Sequence, residues 1–212
     1  MMNIKYEIEK YIIEHSDEED PILSELFRET QIKVLNPRMI SGFLQGKLLE
    51  FISKIVNPEQ ILEIGTYTGY SAICLAKGLK PNGQLHTIEI NDELESISKK
   101  YFQKAGLENL ILTYTGNALD IIPTINKTFD LVFIDGEKNE YIPYYNIVYN
   151  KVKRGGLILV DNVLWSGKIL NENDQDQSTI SIKKFNEVIK NDTRIEKLIL
   201  PIRDGIMILI KK

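Results

Sequence analysis

The stretch FDLVFIDGEK (129–138) ends an apolar run on Asp135, with Lys138 three residues further on, and GGLILVDN (155–162) ends another on Asp161 and Asn162. Carboxylates and ammonium groups are almost never fully buried unless they are paired or bind something. If the two runs are neighbouring strands, two carboxylates and an amide oxygen converge at their ends. That donor set suits a hard divalent cation, Mg²⁺ first and Mn²⁺ or Ca²⁺ as alternatives, whose remaining positions stay free for water or substrate oxygens. Capping of the helices that follow is the competing reading for Asp135 and Asp161, but two acids and an adjacent amide exceed what capping needs.

A second group of residues points to a nucleoside-containing ligand. LEIGTYTGYS (62–71) carries Glu63, Gly65 and Gly69 as E-x-G-x-x-x-G between an apolar run and a helical segment. Glycine permits a sharp turn and a close backbone approach to a ligand, although an ordinary tight turn also uses it. The closely spaced G-x-G-x-x-G of a pyrophosphate loop is absent, which disfavours a nicotinamide-dependent dehydrogenase. Glu89 ends the run HTIEI and is placed to accept both hydrogen bonds of a ribose diol. An adenosine ligand without a phosphate loop points to S-adenosylmethionine. Further on, TGNALDII (115–122) offers Ala118 and Leu119 as walls for an adenine, with Asn117 readable equally as a helix cap.

These residues need a scaffold, and the chain supplies a rhythm of strands and helices. The runs at 60–65, 84–90, 109–115, 129–135 and 155–162 are apolar and β-branched without strict alternation, as in strands buried on both faces. YSAICLAKGLK, DELESISKKYFQKAG and IPYYNIVYNKV between them read as helices, the second with Asp92 and Glu95 spaced as a capping box. Five βα repeats predict a doubly wound, Rossmann-like parallel sheet with helices on both faces. RIEKLILPI and GIMILIKK, joined through Arg203-Asp204-Gly205, predict a closing antiparallel hairpin and seven strands in all. Helices are expected at 4–14, 22–35 and 38–56, so residues 1–57 should form a helical cap on an α/β core at 58–212, together one domain.

Composition narrows the partners. The 212 residues carry 26 Lys+Arg against 30 Asp+Glu, a net charge of −4, which argues against a broad nucleic-acid or anionic-membrane footprint. The LysLys pairs at 99–100, 183–184 and 211–212 read as solvated charge. A lone cysteine, Cys74, excludes an internal disulfide and suits a reducing compartment. The charged start MMNIKYEIEK and the lack of any stretch near the roughly 20 apolar residues of a membrane span predict a cytoplasmic protein without membrane attachment.

LEIGTYTGYS, FIDGEKNEY, GGLILVDNVLWSG, KFN (184–186) and PIRDG (201–205) together resemble the cation-dependent O-methyltransferases of the catechol and caffeoyl-CoA type, from about Met39 to the C-terminus. The resemblance implies S-adenosylmethionine as methyl donor, held by Glu63, Gly65, Thr66, Ser71, Glu89 and Ala118, with Asp135 near its methionine end and Met39 at the entrance. It implies Asp135, Asp161 and Asn162 as metal ligands, Lys138 as general base, and a homodimer. Asn117 stands where many members have Asp, and Gly136-Glu137 replaces a commoner Ala-Asp. The implied acceptors are catechol-like phenols, hydroxycinnamoyl thioesters or, in some bacterial relatives, a hydroxylated uridine in tRNA. Trp165 and the polar loop 168–179 are candidates to shape that choice. A noncatalytic adenosyl-ligand binder is the reading from another class, and an intact Lys138 beside the metal set speaks for the enzyme.

Overall fold

A computed structural model describes residues 4–212; the first three residues of the MMNIKYEIEK stretch lie outside the described residues. Helices α1 (Ile4–Glu14), α2 (Pro21–Lys33) and α3 (Phe43–Val56) precede the sheet. Then β1 (Gln60–Ile64), α4 (Tyr70–Ala76), β2 (Gln84–Glu89), α5 (Glu95–Lys104), β3 (Ile111–Thr115), α6 (Ala118–Thr124), β4 (Phe129–Ile134), α7 (Tyr141–Lys151) and β5 (Val152–Val160) alternate. The chain ends with α8 (Gln177–Asn191), β6 (Ile195–Leu200) and β7 (Ile206–Lys211).

The seven strands lie in the order β3-β2-β1-β4-β5-β7-β6. β1 to β5 are mutually parallel, and β7 runs antiparallel to both β5 and β6. All of β1 is buried, because helices cover both faces. On one face Leu62, Ile64, Val132 and Val160 meet Tyr141, Tyr145 and Phe185 of α7 and α8. On the other, Ile61, Leu131, Phe133 and Leu159 meet Leu26, Leu49, Ile73 and Tyr101 of α2 to α5. Cys74 is 1% exposed within that second core, where burial raises its thiol pKa and keeps it inert.

Local chemistry shifts several expected boundaries. The helix expected over 38–56 is divided into a 3-10 turn at Pro37–Met39 and α3, because Gly42 at φ 74 turns the chain between them. The box expected from Asp92 and Glu95 is not formed: Asn91 is the cap, its side chain accepting from Glu93 N at 3.1 Å, and Asp92–Leu94 is a 3-10 turn. Within 168–179, read as one polar loop, the last residues already open α8, capped by Asp176, which accepts from Thr179 N. Lys99 and Lys100 are engaged with Glu95 and Glu29 on the surface.

Candidate active site

The parallel register builds the site. Ile64 pairs with Ile88 on one side and Ile134 on the other, and Ile134 pairs with Val160. The next residue of each strand is Glu89, Gly65, Asp135 or Asp161, so these four stand in one row at the carboxyl ends of β2, β1, β4 and β5. Backbone bonds fix the row: Gly65 N to Ile88 O at 2.9 Å, Asp135 N to Ile64 O at 2.8 Å and Asp161 N to Ile134 O at 3.0 Å. This is the end of an open α/β sheet at which ligands bind.

The left part of the row is a cleft. Gly65 has φ +97, and a Cβ there would lie 2.3 Å from the backbone oxygen of Asp135, so only glycine lets β1 turn beside β4. Gly65, Thr66, Ser71 and Asp135 line the cleft with Met39 and Ser41 above them. Both Glu89 oxygens accept backbone N–H bonds, from Tyr67 at 2.7 Å and from Asn91 at 3.0 Å. An ionised carboxylate has about four acceptor sites, so lone pairs remain for a diol. Ala118 is buried at the head of α6 in the core that also holds Ile88. Asn117 caps that helix, its side chain accepting from Leu119 N at 2.8 Å.

Glu63 lies beneath this cleft and is fully buried. Thr87 Oγ1 donates to its Oε2 at 2.5 Å, Thr66 and Thr87 share a further bond at 2.6 Å, and Glu63 Oε1 has no partner. Burial pushes its pKa up to about 8, the hydrogen bond from Thr87 counters this, and the charges of Asp135 and Glu89 add to it. A carboxyl whose folded pKa lies above its ordinary 4.5 binds more protons folded than unfolded. Folding stability therefore falls as pH rises from about 4.5 towards 8, and Glu63→Gln should flatten that decline. Thermal unfolding across that range measures it, and an unchanged slope in the variant would reject the assignment.

The right part of the row is acidic. Asp161 is 4% exposed; its Oδ1 accepts from Asn162 N at 2.8 Å and its Oδ2 from Gln45 Nε2 at 2.7 Å. Burial, and after it the charge of Asp135, push Asp161 up to about 7. Asn162 adopts φ 58, a conformation that L residues rarely hold without cause. Among the described residues no three His, Cys, Asp or Glu side chains gather as a metal cluster; the set here is two carboxylates and one amide. Mutually repelling carboxylates beside an amide oxygen fit a divalent cation, which would relieve the repulsion.

Lys138 opens a 3-10 turn after β4 and stands against this row, donating to Asp135 Oδ1 at 2.9 Å and to Gly136 O at 3.1 Å. Burial, the largest single influence, works to lower its pKa, but Asp135 and Tyr141 together outweigh it and hold the amine above its ordinary value. Tyr141, buried below, donates to Asp161 O at 3.0 Å.

Three contributors make contacts that no local spacing announces, although Arg203 and Asn186 lie in the PIRDG and KFN stretches. Gln45 reaches Asp161 from α3, 116 residues away in the chain. Arg203, in the β6–β7 connection, donates from Nη1 to Ile40 O at 2.6 Å and to Ser41 O, tying the segment above the cleft to the hairpin. Asn186, in the KFN stretch, donates to Val163 O at 2.8 Å and so steadies the loop after Asn162. Trp165 Nε1 lies 3.4 Å from Asp176 Oδ2, linking the loop to the head of α8. A wider polar depression at the opposite, amino end of the strands, lined by Gln60, Lys127 and Lys153, lies away from the row.

Comparison with known proteins places this arrangement. Residues 13–212 match the O-methyltransferase family. A catechol O-methyltransferase of Niastella koreensis is 34% identical over 160 residues, 74% of this chain and 72% of that protein. A caffeoyl-CoA O-methyltransferase of Stellaria longipes is 29% identical over 94% of this chain and 88% of its own. The crystal structure of an O-methyltransferase from Bacillus cereus in complex with SAH superposes with a TM-score of 0.90 at 28% identity, covering 97% of both chains.

Proposed function

The chain belongs to the O-methyltransferase family, and on that premise we propose that this enzyme transfers the methyl group of S-adenosylmethionine to a hydroxyl of a catechol-like or hydroxycinnamoyl small molecule, with a divalent cation held by Asp135, Asp161 and Asn162. One observation carries the reading: the register places the glycine turn and the acidic pair side by side, so donor and acceptor sites share Asp135. SAH, the demethylated donor, in the Bacillus cereus structure and the names of the catechol and caffeoyl-CoA relatives support donor and acceptor classes.

The cofactor is proposed to lie in the cleft over Gly65, Thr66 and Ser71, its ribose on Glu89, its adenine towards Ala118 and its methionine end at Asp135 and Glu63. Replacing Glu89 with Ala removes charge-assisted bonds worth about 1.5–3 kcal/mol, so the Kd for SAH should rise roughly 10- to 100-fold. Calorimetry reads this directly, and an unaltered Kd would remove the ribose assignment. A cation held by Asp135, Asp161 and Asn162 would supply Lewis-acid polarisation of the acceptor oxygens. Lys138 Nζ, in its neutral form, accepts the proton of the acceptor hydroxyl, a phenol whose ordinary pKa near 10 leaves it a weak nucleophile at neutral pH. The remaining work is alignment of donor and acceptor, which can supply about 7–11 kcal/mol of the barrier.

The whole chain is proposed as one methyltransferase domain, 1–57 capping 58–212, in a cytoplasmic homodimer. On α1 the exposed Ile8, Tyr11 and Ile12 form one apolar face, fit to be covered by a second copy. Among the described residues no helix is long and apolar enough to cross a membrane. The acceptor class is tested by methyl transfer from labelled S-adenosylmethionine to catechols, hydroxycinnamoyl thioesters and undermodified tRNA. Transfer to the small phenols supports the proposal, and transfer to tRNA alone would replace it.

A further inference from the structure

Gln45 sits in the first turn of α3, is 1% exposed, and donates from Nε2 to Asp161 Oδ2 at 2.7 Å. An ionised carboxylate can only accept, so the amide must turn its NH₂ towards Asp161, and its oxygen faces the other way. That oxygen is buried without a hydrogen-bond partner, where nine in ten buried polar groups have one. The side chain is also held in place by its backbone. At the neighbouring Gly46 a Cβ would lie 2.5 Å from the Tyr70 ring and 2.9 Å from Cys74 Sγ, so α3 lies directly on α4 there. A buried amide fixed this tightly, and kept there although its oxygen goes unpaired, is built to hold that carboxylate in one orientation.

We propose that Gln45 is a positioning residue for the divalent cation: Nε2 holds the Asp161 carboxylate in the orientation in which it would serve as a ligand. The inference rests on the metal reading above and adds a group from the helical cap to it. Partners of this kind around metal ligands typically change affinity 10- to 100-fold when lost.

The test is Mn²⁺ binding to the full chain without cofactor or acceptor, followed by electron paramagnetic resonance of the free ion. Gln45→Leu, of similar size but without polar atoms, should raise the Mn²⁺ Kd about 10- to 100-fold. Gln45→Met, unbranched and likewise without a donor, should raise it by a similar factor. A merely structural role would move the unfolding temperature of both variants and leave both Kd values at the wild-type figure, which overturns the proposal. If Gln45→Leu does not fold, Gln45→Met decides alone, with SAH binding as the check of its fold; a Mn²⁺ Kd at the wild-type figure then overturns the proposal. Wild-type protein that binds no Mn²⁺ would instead remove the metal reading, and this inference with it.

Discussion

Asp161→Ala is expected to lower cation-stimulated methyl transfer by on the order of 10³-fold while SAH still binds. The magnitude follows from losing several kcal/mol of Lewis-acid stabilisation, at about 1.4 kcal/mol per tenfold in rate. Two effects act on one carboxylate. Its removal deletes a proposed ligand, and it also frees Gln45 Nε2 and relieves the repulsion that raises Asp161 itself. The metal-free variant should therefore fold at least as well at pH 8 as the wild type, since a carboxyl held near 7 is there ionised at a cost. Steady-state kinetics with added Mg²⁺, together with SAH calorimetry, separate the two. Unchanged turnover would remove Asp161 from the chemistry.

Lys138→Ala should reduce kcat by roughly 10²- to 10⁴-fold, the usual worth of a positioned base. The ion pair with Asp135 makes a further demand. An amine held above its ordinary pKa is mostly protonated at neutral pH, so wild-type turnover should climb as pH rises, and the alanine variant should lose that climb. Lys138→Arg decides between base and bystander charge. Arginine keeps the cation but cannot give up its proton in this range, so it should fail to restore activity. Activity in Lys138→Arg close to wild type would mean that the residue acts as a fixed positive charge and not as a base.

The fold was legible because its strands are buried on both faces and separated by helices of ordinary length. The runs ending on Ile64, Glu89, Ile134 and Val160 show that burial as apolar, β-branched sequence, and the hairpin at Arg203-Asp204-Gly205 shows itself as an Asp-Gly turn. Helix α8 was hidden by its polar residues. Its buried Thr179, Ile182, Phe185 and Ile189 follow helical spacing, and Asp176 is a proper cap, but Asn and Asp crowd the segment before it. The acidic row could be anticipated, because strands β4 and β5 are consecutive in sequence and their ends fall level in register. The contacts of Gln45 and Arg203 could not. Each acts across more than 100 residues of chain, and even Arg203, which lies in the PIRDG stretch, has no spacing that names its partner. The pairing of Lys138 with Asp135 was implied by their three-residue spacing, yet its consequence for the amine depends on burial that only the packed structure supplies.

The most direct measurement of the central claim is methyl transfer from labelled S-adenosylmethionine to a catechol, run with Mg²⁺, with excess chelator, and with Mg²⁺ restored. The account predicts transfer that the chelator abolishes and Mg²⁺ restores, with SAH binding unaffected throughout. Transfer that proceeds at the same rate in chelator would contradict it, because Asp135, Asp161 and Asn162 would then hold no cation that the reaction needs.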